Sequence, residues 1–417
     1  MTSTAAVDAR HAADLRGLNQ LAIDAVTATT DLVEAMHAAV THLPAAIGRR
    51  APARASGLTG WIYARIRGAT RQVGSGVDAS LSLLAPLLGN HDHGNEREAV
   101  LAAMNGVVGD HLEASSNPLA ITMGFRHAGR DLALTRKALS AALPEANGRI
   151  VVLLHGLCMN DRQWRHHDHD HGEALARDLE MMPVYLRYNS GRHISQNGRD
   201  FADAMQRLQR AWPVPVERIV LLCHSMGGLV ARSACHHAVE VGQPWLQSVS
   251  DVVFLGTPHH GAPLERAGSW IDRLIGISPY SAPFARLGRL RSAGIQDLRH
   301  GSLRDEDWQA TGNEHGDPRV LLPLPKHARC HAIAASTQAD DAKANRAGLR
   351  GDGLVPIASA LGQHADRAFD LRIPKARQWI ATGTHHLGLL GSEAVYRRIR
   401  TSLQGRVRAP VKDAGPR

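Results

Sequence analysis

The sequence predicts an α/β fold, in which a mostly parallel sheet is flanked by helices and preceded by an N-terminal helical region. Short apolar runs recur from residue 150 onward, and stretches long enough for a helix separate them. Alternation of strand and helix places parallel strands side by side and covers both faces of the sheet. The runs that we interpret as strands lie at 150–154, 182–186, 219–222, 252–255 and 331–335.

The chain before the first of these strands has a different pattern. Apolar residues recur every three or four positions from Leu15 to Val40, from Trp61 to Leu81 and from Val100 to Leu112, which predicts three helical segments. After them, residues 118–126 and 131–134 are predicted to be extended around a turn, and residues 135–143 to form a helix.

These patterns divide the chain into three parts. We predict a helical N-terminal region at 1–116, an α/β domain at 117–404 and a disordered basic tail at 405–417. Arg65, Arg67 and Arg71 lie beside the apolar stripe of the second helical segment. The sequence leaves open whether that segment contacts a membrane surface peripherally or packs on the α/β domain.

Composition narrows the class of protein. The 417 residues are 44% hydrophobic and carry a formal net charge of +9, which is spread along the chain rather than gathered in one block. No aromatic-basic RNA motif, zinc-finger spacing or basic recognition helix is present, so we expect no nucleic-acid partner. The four cysteines are scattered, and no segment has the roughly 20 apolar residues that cross a bilayer. We expect a cytoplasmic protein; the sequence does not indicate its oligomeric state.

The segment Cys-His-Ser-Met-Gly-Gly at 223–228 follows an apolar strand and precedes a predicted helix. A serine at the apex of such a strand–turn–helix has the geometry of a nucleophile elbow, which requires small flanking residues. Cys223 departs from the pattern Gly-x-Ser-x-Gly at its first position, and a serine here could instead cap the helix. Ser225 is nevertheless our candidate nucleophile, because other strand ends supply partners for it.

Functional groups gather at the carboxyl ends of parallel strands. The turn after the strand at 150–154 offers the backbone N–H of Leu157 to a developing oxyanion, and the residue after the serine offers that of Met226. Asp352, between two glycines, and His386, before a C-terminal helix, follow in the chain order serine, acid, histidine. A serine hydroxyl needs an imidazole to accept its proton, and the imidazole needs a carboxylate to orient it.

Five strings resemble the α/β-hydrolase superfamily, and specifically its bacterial lipase and esterase branch, over residues 118–404. They are His-Gly at 155–156, His-Ser-Met-Gly-Gly at 224–228, Leu-Gly-Thr-Pro-His-His-Gly at 255–261, Asp-Gly-Leu-Val at 352–355 and His-Leu at 386–387. The resemblance implies an α/β-hydrolase fold, with Ser225 as nucleophile, Asp352 as acid and His386 as base. It implies hydrolysis of a small-molecule or lipid carboxylic ester through an acyl-enzyme intermediate, with no cofactor and no metal.

Several alternatives stay open. Asp340 and Asp341 compete with Asp352 for the role of the acid, and His385 competes with His386 for that of the base. An apolar insertion at about 264–325 is either a lid over an acyl pocket or an ordinary helical excursion. The same machinery would serve an acyltransferase, and a hydrolase fold can also serve as a non-catalytic interaction protein. The His/Asp tract at 166–171 is either a metal site or a loop.

Overall fold

The computed structural model describes residues 16, 17, 19, 20, 94–261, 292–309, 320–339 and 351–404. These residues form an eight-stranded sheet in the order β2-β1-β4-β3-β5-β6-β7-β8, in which β1 is antiparallel to both of its neighbours and the other pairs are parallel. The mostly parallel sheet is the predicted one. Its strands are β1 Gly124–His127, β2 Arg130–Asp131, β3 Arg149–Leu154, β4 Met182–Arg187, β5 Arg218–His224, β6 Val249–Leu255, β7 Arg329–Ala335 and β8 Gln378–Ala381.

Helices connect the strands. They are α1 Gly94–Ala114, α2 Arg136–Ala142, α3 His171–Leu179, α4 Ile194–Ala211, α5 Met226–Glu240, α6 Ala293–His300, α7 Asp305–Gln309, α8 Ile357–Ala360 and α9 Glu393–Gln404. Short 3₁₀ helices lie at Asp161–Trp164, Pro244–Ser248, Lys375–Arg377 and Leu387–Leu390. No helix within the described ranges is both long and apolar enough to cross a membrane.

The central strands bury both of their faces. In β3 alternate side chains enter different apolar clusters: Val152 and Leu154 belong to the cluster that includes α4 and α5 side chains, and Val151 and Leu153 lie in the other. All four are fully buried, and burial of each such side chain contributes roughly 1.5–3 kcal/mol to the free energy of unfolding. This two-sided burial is the reason that the strands are continuous apolar runs in the sequence.

The hairpin β1–β2 turns where the sequence predicted a turn, at residues 127–130. Its turn consists of Ala128 and Gly129, with φ values of 49° and 72°, and His127 pairs with Arg130. Positive φ at both central residues matches the right-handed twist of the strands. β1 and β2 are shorter than the extended segments expected at 118–126 and 131–134. The helix expected at 135–143 is present as α2, and Thr135 caps its N-terminus.

The chain divides into two compact units, one of residues Met1–Gly94 and His111–Ala120 and the other of Asn95–Asp110 and Ile121–Arg417. In the first unit, Asn117 Nδ2 donates to the carbonyl oxygen of Gly17 over 2.9 Å. In the second, α1 comes close to the loop after β3, because a Cβ on Gly106 would lie 2.3 Å from Cys158 Sγ.

Several predictions fall outside the described residues. They are the first two helical segments apart from residues 16, 17, 19 and 20, the part of the insertion at 264–291 and 310–319, and the basic tail.

Candidate active site

A single residue, Ser225, separates β5 from α5. Its backbone has φ 52° and ψ −124°, a conformation that costs a non-glycine residue of order 1–3 kcal/mol. The Ser225 side chain makes no capping hydrogen bond to α5, so the capping alternative does not describe this serine. Its N–H donates instead to the carbonyl oxygen of Leu255 over 2.9 Å, which ties the strained residue to the end of β6. Strand β5 runs to His224, two residues beyond the predicted end.

Small residues allow α5 to start this close to the sheet. A Cβ on Gly227 would lie 2.5 Å from the carbonyl oxygen of Leu154, and one on Gly228 would lie 2.2 Å from Thr257 Oγ1. Both glycines are therefore required by the close approach of α5 to β3 and β6. Cys223, which replaces the first glycine of the common pattern, is fully buried on the same side of the sheet as Phe254.

The structure brings Asp352 and His386 together. His386 Nδ1 donates to Asp352 Oδ2 over 2.7 Å, and both side chains are buried. The other carboxylate oxygen, Oδ1, accepts the N–H groups of Leu354 and Val355 over 2.9 and 2.8 Å. The carboxylate therefore fixes the imidazole with its proton on Nδ1 and leaves Nε2 as the basic nitrogen. His386 Nε2 is buried and has no hydrogen-bond partner among the described residues.

His386 lies beside the elbow. Its ring centroid is 4.8 Å from that of His224, the residue before Ser225, and its carbonyl oxygen accepts a hydrogen bond from His224 Nε2 over 3.2 Å. On the other side is Gly256, with φ +57°, on which a Cβ would lie 3.1 Å from His386 Nδ1. The elbow, the end of β6 and the loop after β8 thus converge on one point.

The residues of the two predicted oxyanion donors, Leu157 and Met226, lie on segments next to Ser225. A Cβ on Gly156 would be 3.1 Å from Ser225 Cβ, so the loop that carries Leu157 passes close to the candidate nucleophile. Met226 is the first residue of α5, where an N–H has no intrahelical acceptor and the helix dipole favours negative charge. Among the described residues, the Leu157 N–H makes no backbone hydrogen bond either. The next N–H, that of Cys158, donates a hydrogen bond to Ser190 Oγ over 3.1 Å.

The histidines around the serine are neutral. Burial lowers the pKa of His155 to about 4 and the pKa of His224 well below its usual value. The rings of His155 and Tyr188 stack with centroids 4.2 Å apart, and the Tyr188 hydroxyl donates to the carbonyl oxygen of His155. His155 and His224 therefore place no positive charge beside Ser225 near pH 7.

The competing residues have different surroundings. His385 is exposed, and its Nδ1 accepts the N–H of Gly388 over 3.1 Å. Asp340 and Asp341 lie outside the described residues.

His193 donates to the buried Asp297 and stacks on Trp308, so it shapes the start of α4. An open cleft lies between the β1–β2 turn and α3, and Ser225, Asp352 and His386 do not line it.

The His/Asp tract at 166–171 forms a loop of internal hydrogen bonds. His166 and His169 pair through their backbones, and Asp170 caps α3 while accepting the Tyr185 hydroxyl over 2.6 Å. In the part of the chain that the structure describes, no three His, Cys, Asp or Glu side chains are arranged to hold a metal ion.

Comparison with known proteins agrees with this architecture. Residues 145–312 match the family model described as the PGAP1-like alpha/beta domain, a segment that contains Ser225 but not Asp352 or His386. No characterised protein sequence matches the chain.

Solved structures with a similar fold include two Bacillus enzymes. Mature lipase BlEst2 of Bacillus licheniformis is 18% identical with a TM-score of 0.40, and the alignment covers 61% of this chain and 92% of the lipase. Carboxylesterase CesB of Bacillus subtilis is 13% identical with a TM-score of 0.36, over 63% of this chain and 85% of the esterase.

Three residues near the serine received no role from the sequence alone. His224 was part of the elbow string, Gly256 lay in the Gly-Thr-Pro string, and Tyr188 directly follows β4. Their position at a strand end or directly after one is the signal that could have found them. Their contacts depend on side-chain direction, which spacing does not supply.

Proposed function

We propose that this chain, which has an α/β-hydrolase fold, is a serine hydrolase that cleaves carboxylic esters through an acyl-enzyme intermediate. The observation that carries the proposal is the state of His386. One ring nitrogen is bound to a buried carboxylate, and the other is buried and has no partner among the residues that the structure describes, beside a serine held in a strained elbow. An imidazole so arranged is a general base that lacks only the proton of its nucleophile.

In the first half-reaction Ser225 Oγ attacks the carbonyl carbon of the ester while its proton passes to His386 Nε2. The carbonyl oxygen becomes an oxyanion that accepts the N–H groups of Leu157 and Met226. Collapse of this intermediate breaks the bond to the alcohol oxygen, which takes the proton from Nε2 as it leaves. The acyl group stays on Ser225.

In the second half-reaction a water molecule takes the place of the alcohol. His386 Nε2 accepts one of its protons as its oxygen attacks the acyl carbon, and the same two N–H groups hold the second oxyanion. Collapse returns the proton to Ser225 Oγ and releases the carboxylic acid. Each oxyanion donor lowers the free energy of the transition state by roughly 3 kcal/mol.

Asp352 does not accept a proton in this scheme. Its negative charge stabilises the imidazolium that forms twice per turnover, and its hydrogen bond keeps Nε2 facing the serine. The two backbone N–H groups on Oδ1 hold the carboxylate in place.

The substrate class proposed here is a small-molecule or lipid ester. Transfer of the acyl group to an alcohol or thiol is the second candidate reaction, since the same acyl-enzyme would serve it. Peripheral membrane contact through the N-terminal segments, a cytoplasmic location and a role in lipid metabolism stay predictions.

The first test is labelling with a fluorophosphonate probe, followed by peptide mapping. We expect one labelled residue, Ser225. A folded protein that is not labelled would favour a non-catalytic interaction protein.

A panel of p-nitrophenyl esters from acetate to palmitate, run with triolein, then defines the acyl preference. Adding an alcohol acceptor separates the two reactions, because an acyltransferase forms the new ester in excess over the free acid. Hydrolysis of no ester by a protein that is labelled at Ser225 would contradict the ester-hydrolase proposal.

A further inference from the structure

The loop that carries His386 between β8 and α9 is held to the rest of the domain through backbone carbonyl groups that accept hydrogen bonds from distant side chains. Within the 3₁₀ helix that follows, the N–H groups of Gly391 and Ser392 both bond to the carbonyl of Gly388. The carbonyl oxygen of Leu389 accepts a hydrogen bond from a histidine ring on a distant element, and so does that of His386, the residue before the 3₁₀ helix. A buried carbonyl left without a donor costs ~1–3 kcal/mol, so these ring donors determine where the loop lies.

The donor to Leu389 is His171, the first residue of α3 and 218 positions away in sequence. His171 Nε2 lies 2.9 Å from the Leu389 carbonyl oxygen, and its Nδ1 lies 2.7 Å from Nε2 of His169. A carbonyl only accepts, so His171 carries its proton on Nε2. Its Nδ1 then accepts, and His169 is the donor. The two histidines form a directed chain that ends on the loop of His386.

His171 is held rigidly. It is fully buried, its ring stacks parallel to that of Tyr396, and the edge of Trp164 contacts it from another side. Burial lowers the pKa of His171 to about 3, so the ring is neutral near pH 7 and the direction of the hydrogen bonds is fixed.

We propose that His171, oriented by His169, is a positioning residue that places the general base by holding the Leu389 carbonyl. This inference rests on the proposed function. It gives the tract at 166–171 a role other than metal binding: the tract anchors the segment that carries His386. The residue touches neither the substrate nor the reacting atoms, and its effect passes through residues 387–389.

The effect on catalysis follows from geometry. His386 lies three residues before Leu389, joined to it by one tight turn, so a shift of the Leu389 carbonyl moves the imidazole relative to Ser225. A misplacement of 1 Å can lower a rate by about a hundredfold. Substrate binding does not depend on this contact, so the effect falls on kcat rather than on KM.

The test compares two variants of the full chain. His171→Phe keeps a ring of similar size without a donor, whereas His171→Gln places an amide N–H near the position of Nε2. We expect kcat for a p-nitrophenyl ester to fall by about 10- to 100-fold in His171→Phe with KM unchanged, and to recover to within a few-fold in His171→Gln. Leu175→Ala, on the same helix and fully buried, is the matched control: it lowers the unfolding midpoint and leaves kcat unchanged.

Three outcomes would overturn the inference. The first is a kcat in folded His171→Phe equal to that of the parent, and the second is a loss of kcat in His171→Gln as large as that in His171→Phe. The third is a loss of kcat in Leu175→Ala as large as that in His171→Phe. If His171→Phe does not fold, the half-buried His169→Leu replaces it, with an expected two- to fivefold fall in kcat; an unchanged kcat would then overturn the proposal. Failure of the proposed function is a separate result, since the parent itself would then show no Ser225 labelling.

Discussion

Asp352 and His386 are joined twice, once through their side chains and once through their backbones. The His386 N–H donates to the carbonyl oxygen of Asp352 over 3.1 Å, in addition to the 2.7 Å bond between Nδ1 and Oδ2. The backbone bond does not depend on the carboxylate. A change of the Asp352 side chain should therefore alter the tautomer and charge of the imidazole while the two loops stay together.

Asp352→Asn should lower kcat by about 10⁴-fold, because the amide favours the wrong imidazole tautomer and cannot stabilise the imidazolium. The unfolding midpoint should stay close to that of the parent, because the backbone hydrogen bond between the two residues remains. Asp340→Ala and Asp341→Ala serve as controls and should retain most of the activity, as measured by ester hydrolysis. An equal or larger loss at Asp341 would assign the acid to that residue instead.

Ser225→Ala should abolish ester hydrolysis, since loss of a serine nucleophile typically costs on the order of a millionfold in turnover. Ser233→Ala is the matched control: this serine is also buried on α5, but its hydroxyl donates to the carbonyl of Leu303. Initial rates and circular dichroism of both variants are the measurements. Appreciable turnover by folded Ser225→Ala would rule out the nucleophile assignment.

His386→Ala should lower the acylation rate by several orders of magnitude and slow fluorophosphonate labelling of Ser225. His385→Ala should retain most of the activity, because the His385 ring is exposed and bonds only to the Gly388 N–H among the contacts described. Stopped-flow acylation rates distinguish the two variants. The reverse ranking in folded proteins would transfer the role of general base to His385.

Stability should fall as the pH is lowered below about 6.5. Burial lowers the pKa of His155 to about 4 and that of His171 to about 3, whereas in the unfolded chain both titrate near 6.5. Between these values the unfolded state binds more protons, so the free energy of unfolding decreases with falling pH, by about 1.4 kcal/mol per pH unit for each such histidine. Above pH 6.5 this contribution is constant.

Denaturant unfolding at pH 7.5 to 5.0 measures this slope. His171→Gln removes one of the titrating groups and should make the slope correspondingly shallower. An identical slope in the parent and in this variant would show that His171 is not buried in its neutral form.

The sheet was largely predictable because its central strands are buried on both faces and are therefore continuous apolar runs. β8 was not predicted. Gln378, Trp379 and Ile380 are only half-buried, since β8 is the last strand of the described sheet and pairs with β7 alone. A short edge strand lacks the uninterrupted apolar run that marked the other parallel strands.

The sequence indicated which residues belong to the candidate site but not the contacts that hold them. Residues at strand ends could be chosen because parallel strands bring their carboxyl ends to one edge of the sheet. The contacts of His224 and His171 with the loop of His386 could not, because they join ring nitrogens to backbone carbonyls across 162 and 218 residues. No local pattern in the sequence records such a pairing.

The four cysteines of the chain are all buried in one apolar cluster, although each lies on a different element. Cys223 lies in β5, Cys330 in β7, Cys235 in α5 and Cys158 in the loop above Ser225. Burial raises the pKa of every one of these thiols, and only the thiolate reacts with alkylating reagents. Alkylation should therefore proceed only as the chain opens, so mass spectrometry of the modified peptides would report when this shared apolar cluster becomes exposed, at four positions and without any added label.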